Sequence, residues 1–189
     1  MNIEQTRDAL PDYARDLKLN LGSVLTTNGA PGLNEKQIWS IALASAIAAR
    51  NTSFARSVEA GSRAHLADVE VDGAKAAAAI MGMNNIYYRF LHLVEDGEYQ
   101  TMPARLRMNV IANHGIDKLD FELISLAVSA VNGCGLCVTS HEKKLRSHDV
   151  SREAIQSAVR IAATIHAVAG VLEFEQSQPV TAGSAELAA

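Results

Sequence analysis

Alanine-rich segments constrain the fold of this chain more than any other feature of its sequence. Two of them, IALASAIAAR at residues 41–50 and AKAAAAIMG at residues 74–82, place small apolar side chains at nearly every position. Alanine has the highest helix propensity, and its short side chain lets neighbouring helices pack closely. No segment shows convincing alternation of apolar and polar residues, which would be typical of a half-buried strand. The sequence therefore predicts an all-α fold.

Helical periodicity and turn residues divide the first half of the chain. Residues Ile3 to Leu21 carry apolar side chains at steps of three and four, which predicts one amphipathic helix. The turn-rich segment 26–34 predicts a loop that ends at Asn34, a suitable N-cap. The next helix is nearly all small and apolar after Trp39, and we expect it to be central. Predicted helices cover residues 35–50, 52–67 and 71–89, and breaks in the pattern cover residues 95–103 and 111–118.

Three further helices are predicted in the second half. Asp120 is a suitable N-cap for the first of them, which ends at Asn132-Gly133 because glycine accepts the left-handed conformation that often terminates a helix. Ser151 is a suitable start for the third. The predicted helices cover residues 121–131, 135–147 and 151–174, within one helical domain at residues 1–175, and residues 176–189 are predicted to form a flexible tail.

A weak internal repeat relates the two halves of the chain. Shifting the sequence by 83 positions places residues 39–66 on residues 122–149 and matches seven identical pairs, a number that chance could also produce in alanine-rich helices. The pairs are Ile41/Ile124, Leu43/Leu126, Ala44/Ala127, Ser57/Ser140, Glu59/Glu142, Arg63/Arg146 and His65/His148. A true repeat would divide the domain into a scaffold half at residues 1–100 and a catalytic half at residues 101–175.

Charge and hydropathy exclude several kinds of partner. The net charge is −4 and no basic stripe is present, so we expect no nucleic-acid binding. No uninterrupted apolar run reaches the roughly 20 residues that span a bilayer, and the N-terminus lacks an apolar signal core. We therefore expect a cytoplasmic protein that does not insert into membranes. Charged residues make up 20% of the chain, which hints weakly at surface buried between subunits.

Both cysteines lie in the segment VNGCGLCVTSHEKK, at residues 131–144. Cys134 and Cys137 are three residues apart at the start of a predicted helix, and His141 follows four residues later on the same face. Two sulfurs at this spacing can form a disulfide, and the helix dipole favours the thiolate. His141 could accept or return a proton. The pattern therefore favours a redox-active dithiol.

Two other interpretations of the cysteines stay open at this point. A structural zinc site needs four ligands, and only Cys134, Cys137, His141 and the distant His148 could supply them. The cysteines could also be inert core residues. We expect no metal, and we expect His65, His92, His114 and His166 to be surface or core residues.

Glu122 lies on the helix before the tight turn at Asn132-Gly133. If the two helices fold back on each other, Glu122 lies three helical turns from the cysteines and comes closer to His141 than to Cys134. A Glu–His–Cys proton relay is therefore geometrically reasonable. A carboxylate two residues after Asp120 could equally serve only to stabilise a helix N-terminus.

Four blocks of sequence together resemble the AhpD family of alkyl hydroperoxide reductases, within the carboxymuconolactone decarboxylase-like superfamily. They are ALPDYARDLKLNL, MGMNNIYYRF, LRMNVIANHGIDK and FELISLAVSAVNGCGLCVTSHEKKLR. The resemblance implies an all-helical homotrimer with an antioxidant dithiol that reduces organic hydroperoxides or passes electrons to an AhpC-type peroxiredoxin. It implies no bound cofactor. The implied electron donor is dihydrolipoamide, on a lipoyl-bearing 2-oxo-acid dehydrogenase component that dihydrolipoamide dehydrogenase keeps reduced.

The resemblance also implies residue roles. Cys137 becomes the sulfenic acid, Cys134 gives up its proton and resolves that acid into a disulfide, and Glu122 and His141 match the proton-relay residues. Leu136 departs from the pattern, because a histidine often precedes the second cysteine in this family. Two rival functions are a carboxymuconolactone decarboxylase-like activity, which needs no dithiol, and a non-catalytic redox or metal-binding interaction module.

Overall fold

The structure, a computed structural model, describes residues 2–177. This part of the chain contains nine α-helices and two 3₁₀ helices, and no strand occurs in it. The α-helices are α1 Ile3–Asp8, α2 Arg15–Val24, α3 Glu35–Ala48, α4 Thr52–Ser62, α5 Asp68–Leu93, α6 Glu98–Thr101, α7 Lys118–Val131, α8 Gly135–Arg146 and α9 Arg152–Gln176, and the 3₁₀ helices are Asp12–Ala14 and Asn109–Ile111. The predicted all-α fold is confirmed. A flexible tail is predicted for residues 176–189, and residues 178–189 of it lie outside the described residues.

Helix α3 lies at the centre of the fold, as its sequence predicts. It packs against α4, α5, α7 and α9, and every residue from Ile38 to Ala46 is buried. Its small side chains allow this close approach on all sides. Asn34 caps the helix and accepts a hydrogen bond from the backbone N–H of Gln37 at 2.9 Å, so the predicted N-cap is also confirmed.

The N-terminal segment does not form the single helix that its periodicity predicts. Helix α1 ends at Asp8, and the chain turns through the 3₁₀ helix after Pro11 before α2 begins at Arg15. Proline has no backbone N–H to donate, and its ring disfavours helical conformation in the preceding residue. Leu10 and Ala14 are buried on either side of Pro11, so apolar residues are needed there even though the helix is interrupted.

The N-cap of α7 is Asp117, and the prediction of Asp120 is wrong. The Asp117 carboxylate accepts hydrogen bonds from the backbone N–H groups of Leu119 and Asp120, at 2.8 and 3.2 Å. Asp120 lies inside the first turn, where its carboxylate accepts a 2.7 Å hydrogen bond from the side chain of Gln37 on α3. Asp117 and Asp120 are three residues apart, and the sequence pattern alone makes both suitable N-caps. The contact of Asp120 with Gln37 on α3 distinguishes them, and a contact between helices is not visible in a local sequence pattern.

Backbone features recur at the offset of 83 residues that the sequence repeat indicates. Helices α3 and α7 start and end at equivalent positions, and α4 and α8 start at equivalent positions. The N-caps Asn51 and Cys134 also correspond, as do the left-handed residues Arg50 and Gly133, with φ of 66° and 69°. The two helix pairs therefore share one local design. The division into a scaffold half and a catalytic half stays a prediction.

Among the helices of residues 2–177, only α9 has the length and apolar composition that could span a membrane. Of its most apolar 18-residue window, 56% is buried inside the fold. It packs against α2, α3 and α7, and this burial is typical of a core helix.

Glu59 on α4 is the centre of an ion-pair network. Its carboxylate accepts hydrogen bonds from Lys75 on α5 and, at 2.7 Å, from Arg56, while Arg63 lies 3.7 Å away. The hydrogen bond from Lys75, followed by that from Arg56, lowers the pKa of Glu59. The network thus links α4 to α5.

We expect Glu59→Gln to lower the free energy of unfolding at pH 7 by about 0.5–1 kcal/mol, the range of partly exposed ion pairs. Because the folded-state pKa is lowered, the contribution of Glu59 is fully present above the unfolded pKa of about 4.3 and is lost as the pH falls through the folded pKa. Thermal unfolding at pH 7 and pH 3 measures this difference. Glu142→Gln, at the equivalent position of α8, is the matched control. A loss of stability that is equal at both pH values would contradict the assignment.

Candidate active site

The turn between α7 and α8 places both cysteines. Helix α7 ends at Val131, and Gly133 follows with a φ of 69°, a left-handed conformation that favours glycine. The backbone N–H of Cys134 then donates to the carbonyl of Ser129 at 3.1 Å, which satisfies one of the last carbonyls of α7. The two helices therefore pack against each other directly. The helix stop that Asn132-Gly133 predicts is confirmed.

Cys134 is the N-cap of α8. Its Sγ atom accepts a hydrogen bond from the backbone N–H of Cys137 at 3.3 Å, and the two cysteines form a disulfide with their Cα atoms 5.3 Å apart. The two sulfurs differ in access. Cys134 is completely buried, whereas Cys137 is 6% exposed and lines a cleft. Cys137 is therefore the cysteine that a molecule in the cleft can contact.

His141 and Glu122 form the second part of the site. His141 Nδ1 lies 2.7 Å from Glu122 Oε2, and their side chains are only 16% and 23% exposed. With its Nδ1 proton donated to the carboxylate, the ring has Nε2 left to exchange a proton with another group. Both side chains line the cleft together with Cys137. The structure thus brings the predicted relay residues and Cys137 together in one cleft.

The cleft has a volume of about 430 Å³ and a polar end beside an apolar wall. The polar end carries Cys137, His141 and Glu122. Leu136, the residue that departs from the family pattern, also lines the cleft and is 41% exposed. The apolar wall consists of Met81, Met108, Ile111, Phe121 and Leu136, from α5, α7, α8 and the segment around the second 3₁₀ helix. This shape suits a molecule with an apolar body and a polar reactive end.

Asn85 on α5 supports the turn that holds the cysteines. Its side-chain amide donates to Ser129 Oγ at 2.9 Å, and its carbonyl oxygen accepts from the Asn132 side chain at 2.9 Å. Arg89, one helical turn further along, donates to the Asn132 carbonyl at 2.7 Å. Sequence reasoning missed these residues. The sequence feature that could have identified Asn85 is the pair of consecutive asparagines within an otherwise alanine-rich helix. Polar side chains that are buried in such a helix are usually hydrogen-bonded to a neighbouring element.

The remaining histidines lie outside the reactive end of the cleft. His65 stacks on Trp39, and His114 stacks on Phe121 with 4.1 Å between ring centroids, where burial lowers the pKa of His114. His148 is exposed, and its Nδ1 lies 3.0 Å from the Lys144 carbonyl, so it does not join the cysteines. Within residues 2–177, no group of three or more His, Cys, Asp or Glu side chains is arranged to hold a metal ion.

Comparison with known proteins identifies a family and several similar chains. The model of the carboxymuconolactone decarboxylase family matches residues 97–174. The alkyl hydroperoxide reductase AhpD of Rhodospirillum centenum is 53% identical over 189 residues, the full length of both chains. The protein of the same name from Solibacter usitatus is 54% identical over 175 residues, covering 93% of this chain and 97% of that one. The protein of the same name from Gluconacetobacter diazotrophicus is 56% identical over 173 residues, covering 92% and 93%.

Proposed function

Because the chain belongs to the AhpD family of alkyl hydroperoxide reductases, we propose that it reduces organic hydroperoxides with the Cys134–Cys137 dithiol. The family resemblance of the sequence is confirmed by these relatives. The observation that carries the proposal is the cleft in which the accessible sulfur of Cys137 lies with the His141–Glu122 pair. A thiolate needs a nearby base to form it and an open approach for the peroxide, and this cleft supplies both.

The first step is attack on the peroxide. His141, oriented by Glu122, takes a proton from the dithiol, and the Cys137 thiolate attacks the terminal oxygen of the hydroperoxide. The O–O bond breaks, Cys137 becomes a sulfenic acid, and the alkoxide takes the proton back from His141 and leaves as an alcohol. Cys137 is oxidised by two electrons and the peroxide is reduced by two.

The second step closes the disulfide. The Cys134 thiol gives up its proton and attacks the Cys137 sulfenic acid, and the hydroxyl leaves with that proton as water. The distance between the two Cα atoms, 5.3 Å, allows the bond without unfolding of α8. Burial of Cys134 keeps it away from the peroxide, which supports its role as the resolving cysteine.

The third step restores the dithiol. We propose dihydrolipoamide as the donor, carried on a lipoyl-bearing 2-oxo-acid dehydrogenase component and kept reduced by dihydrolipoamide dehydrogenase. One donor thiolate attacks the Cys137 sulfur from the cleft, Cys134 leaves as a thiolate that the Cys137 N–H stabilises, and the second donor thiol displaces Cys137. We propose that an AhpC-type peroxiredoxin receives electrons from the same sulfur. We also propose that the protein acts in the cytoplasm.

A coupled assay tests this proposal. We expect NADH oxidation to require dihydrolipoamide dehydrogenase, lipoamide, the protein and tert-butyl hydroperoxide together. The Cys134→Ser, Cys137→Ser double variant is the control and should be inactive. Full activity of that variant in a carboxymuconolactone decarboxylase assay, with no peroxide-dependent oxidation by the wild type, would instead favour the decarboxylase-like function.

An exposed apolar stripe on α5 supports the homotrimer that we propose. Ile86, Phe90 and Leu93 repeat on one face of α5 and are 57%, 46% and 71% exposed. Tyr99 packs against Phe90, with 5.2 Å between ring centroids, and Met102 extends the surface at 58% exposure. Apolar patches of this kind on a folded chain mark interaction surfaces. The occupant we assign is another copy of the chain.

Light scattering on a sizing column measures the oligomer. The wild type should have three times the chain mass of 20.2 kDa, and Phe90→Asp combined with Leu93→Asp should yield a monomer, since charges are costly in a buried interface. Leu19→Asp on α2, where an isolated leucine is 63% exposed, should leave the mass unchanged. A monomeric wild type would contradict the proposal.

A further inference from the structure

Leu136 on α8 is an exposed leucine directly beside the reactive sulfur. It precedes Cys137 in the chain, lines the same cleft and is 41% exposed. Within residues 2–177, Leu136 lies outside the hydrophobic core, whereas Val138, two residues later, packs against that core. The fold therefore does not need an apolar side chain at this position, and a molecule in the cleft can contact it.

The start of helix α8 does not explain a leucine either. The first turn of a helix is stabilised by acidic side chains or by side chains that accept hydrogen bonds from the backbone, and leucine is neither. Single exposed leucines are common on protein surfaces, but Leu136 shares an apolar wall with Met108 and Ile111, which line the same cleft. An apolar wall next to a reactive sulfur indicates contact with the apolar part of a substrate.

The size of the cleft favours a bulky substrate. Its volume is about 430 Å³, whereas a water molecule takes up about 30 Å³ in the liquid. Hydrogen peroxide has only two heavy atoms, so it leaves most of the apolar wall in contact with water. A hydroperoxide with a bulky apolar group covers the wall while its terminal oxygen reaches Cys137. Each methylene that leaves water on binding strengthens binding by about fourfold.

We propose that Leu136 is a specificity-determining residue, through which the dithiol selects hydroperoxides with a bulky apolar group over hydrogen peroxide. The assignment rests on the proposed peroxide reduction and names the substrate class of that site. Leu136 contacts the apolar group of the substrate and takes no part in proton transfer or in breaking the O–O bond. The selectivity comes from apolar surface that leaves water, so it increases with the apolar area of the substrate.

The test compares three peroxides by stopped flow on the reduced protein: hydrogen peroxide, tert-butyl hydroperoxide and cumene hydroperoxide. Each second-order rate constant is divided by that of free dihydrolipoamide with the same peroxide, which removes differences in intrinsic reactivity. We expect the wild-type ratio to rise in that order, by about tenfold or more in total. Leu136→Asn keeps the approximate volume and removes the apolar surface. It should lose about five- to tenfold with cumene hydroperoxide and less than about twofold with hydrogen peroxide.

Leu19→Asn is the matched control, because it makes the same substitution at an exposed leucine outside the cleft, and its three rates should equal those of the wild type. Leu136→Met keeps an apolar side chain and should retain the wild-type order of ratios. The rate of Cys137 alkylation by iodoacetamide and the mass measured by light scattering should be the same in Leu136→Asn and the wild type. Leu136→Ala provides the same test if the asparagine variant does not fold.

Three results would overturn this assignment and leave the proposed function in place. They are equal ratios for the three peroxides in the wild type, equal losses for the three peroxides in Leu136→Asn, and a changed mass of that variant. Equal losses would show that the substitution acts on the dithiol, and a changed mass would show that Leu136 packs against another copy of the chain. A wild type that reacts with no peroxide faster than the free dithiol would overturn the proposed function, and the assignment with it.

Discussion

Cys137→Ser will abolish hydroperoxide reduction, with a loss of about 10³-fold or more, whereas Cys134→Ser will retain a single turnover. The difference follows from access. Cys137 lines the cleft, and Cys134 is completely buried beneath the first turn of α8. A serine hydroxyl at residue 137 is too weakly acidic and too weakly nucleophilic to attack the peroxide. A serine at residue 134 leaves the attacking sulfur in place and removes only the resolving thiol.

Mass spectrometry after trapping with dimedone measures this prediction. The reduced Cys134→Ser variant should gain one dimedone adduct, on Cys137, for each equivalent of tert-butyl hydroperoxide. The reduced wild type should gain little, because Cys134 closes the disulfide faster than the trap reacts. The Cys137→Ser variant should gain none. A stable adduct on Cys134 in that last variant would reverse the assignment of the two sulfurs.

His141→Ala will slow the reaction with hydroperoxide by about 10²–10⁴-fold at pH 7, the contribution typical of a general acid–base group. Glu122→Gln will cause a loss no larger than that of His141→Ala, because glutamine can still accept a hydrogen bond from Nδ1 but lacks the charge that stabilises the imidazolium. The contact between the two side chains, at 2.7 Å, is the basis for coupling them.

A double-variant cycle checks this coupling. Because Glu122 acts through His141, the double variant should lose little more activity than His141→Ala alone. Glu142→Gln is the matched control, since it makes the same substitution one residue from His141, on a side chain that does not line the cleft. Fully additive losses in the cycle would mean that the carboxylate acts independently of the imidazole.

The reactive segment was predictable because its geometry is local. The spacing of Cys134, Cys137 and His141 places them on one face of α8 wherever that helix lies. Glu122 was within reach of prediction only because the turn at Gly133 is so tight that the helices before and after it must pack together. In the same way, the central position of α3 follows from small apolar residues on all of its faces.

The rest of the site depends on contacts between segments far apart in sequence. Asn84 lines the cleft from α5, more than 50 residues before Cys137, and Met108 lines it from the position just before the short 3₁₀ helix Asn109–Ile111. Asp117 and Asp120 could each cap α7 on local rules, and the bond from Gln37 distinguishes them. The break near Pro11 could have been predicted from the proline itself. It was missed because apolar residues at helical spacing lie on both sides of Pro11 and indicate one continuous helix.

Stopped-flow mixing of the reduced protein with tert-butyl hydroperoxide tests the central claim most directly, with the loss of both thiols followed in time. If the Cys137 sulfur is activated by the His141–Glu122 pair, the thiols will be lost much faster than those of free dihydrolipoamide at the same concentration and pH. Loss of the thiols no faster than from the free dithiol would contradict the claim, and the dithiol would then serve only to relay electrons.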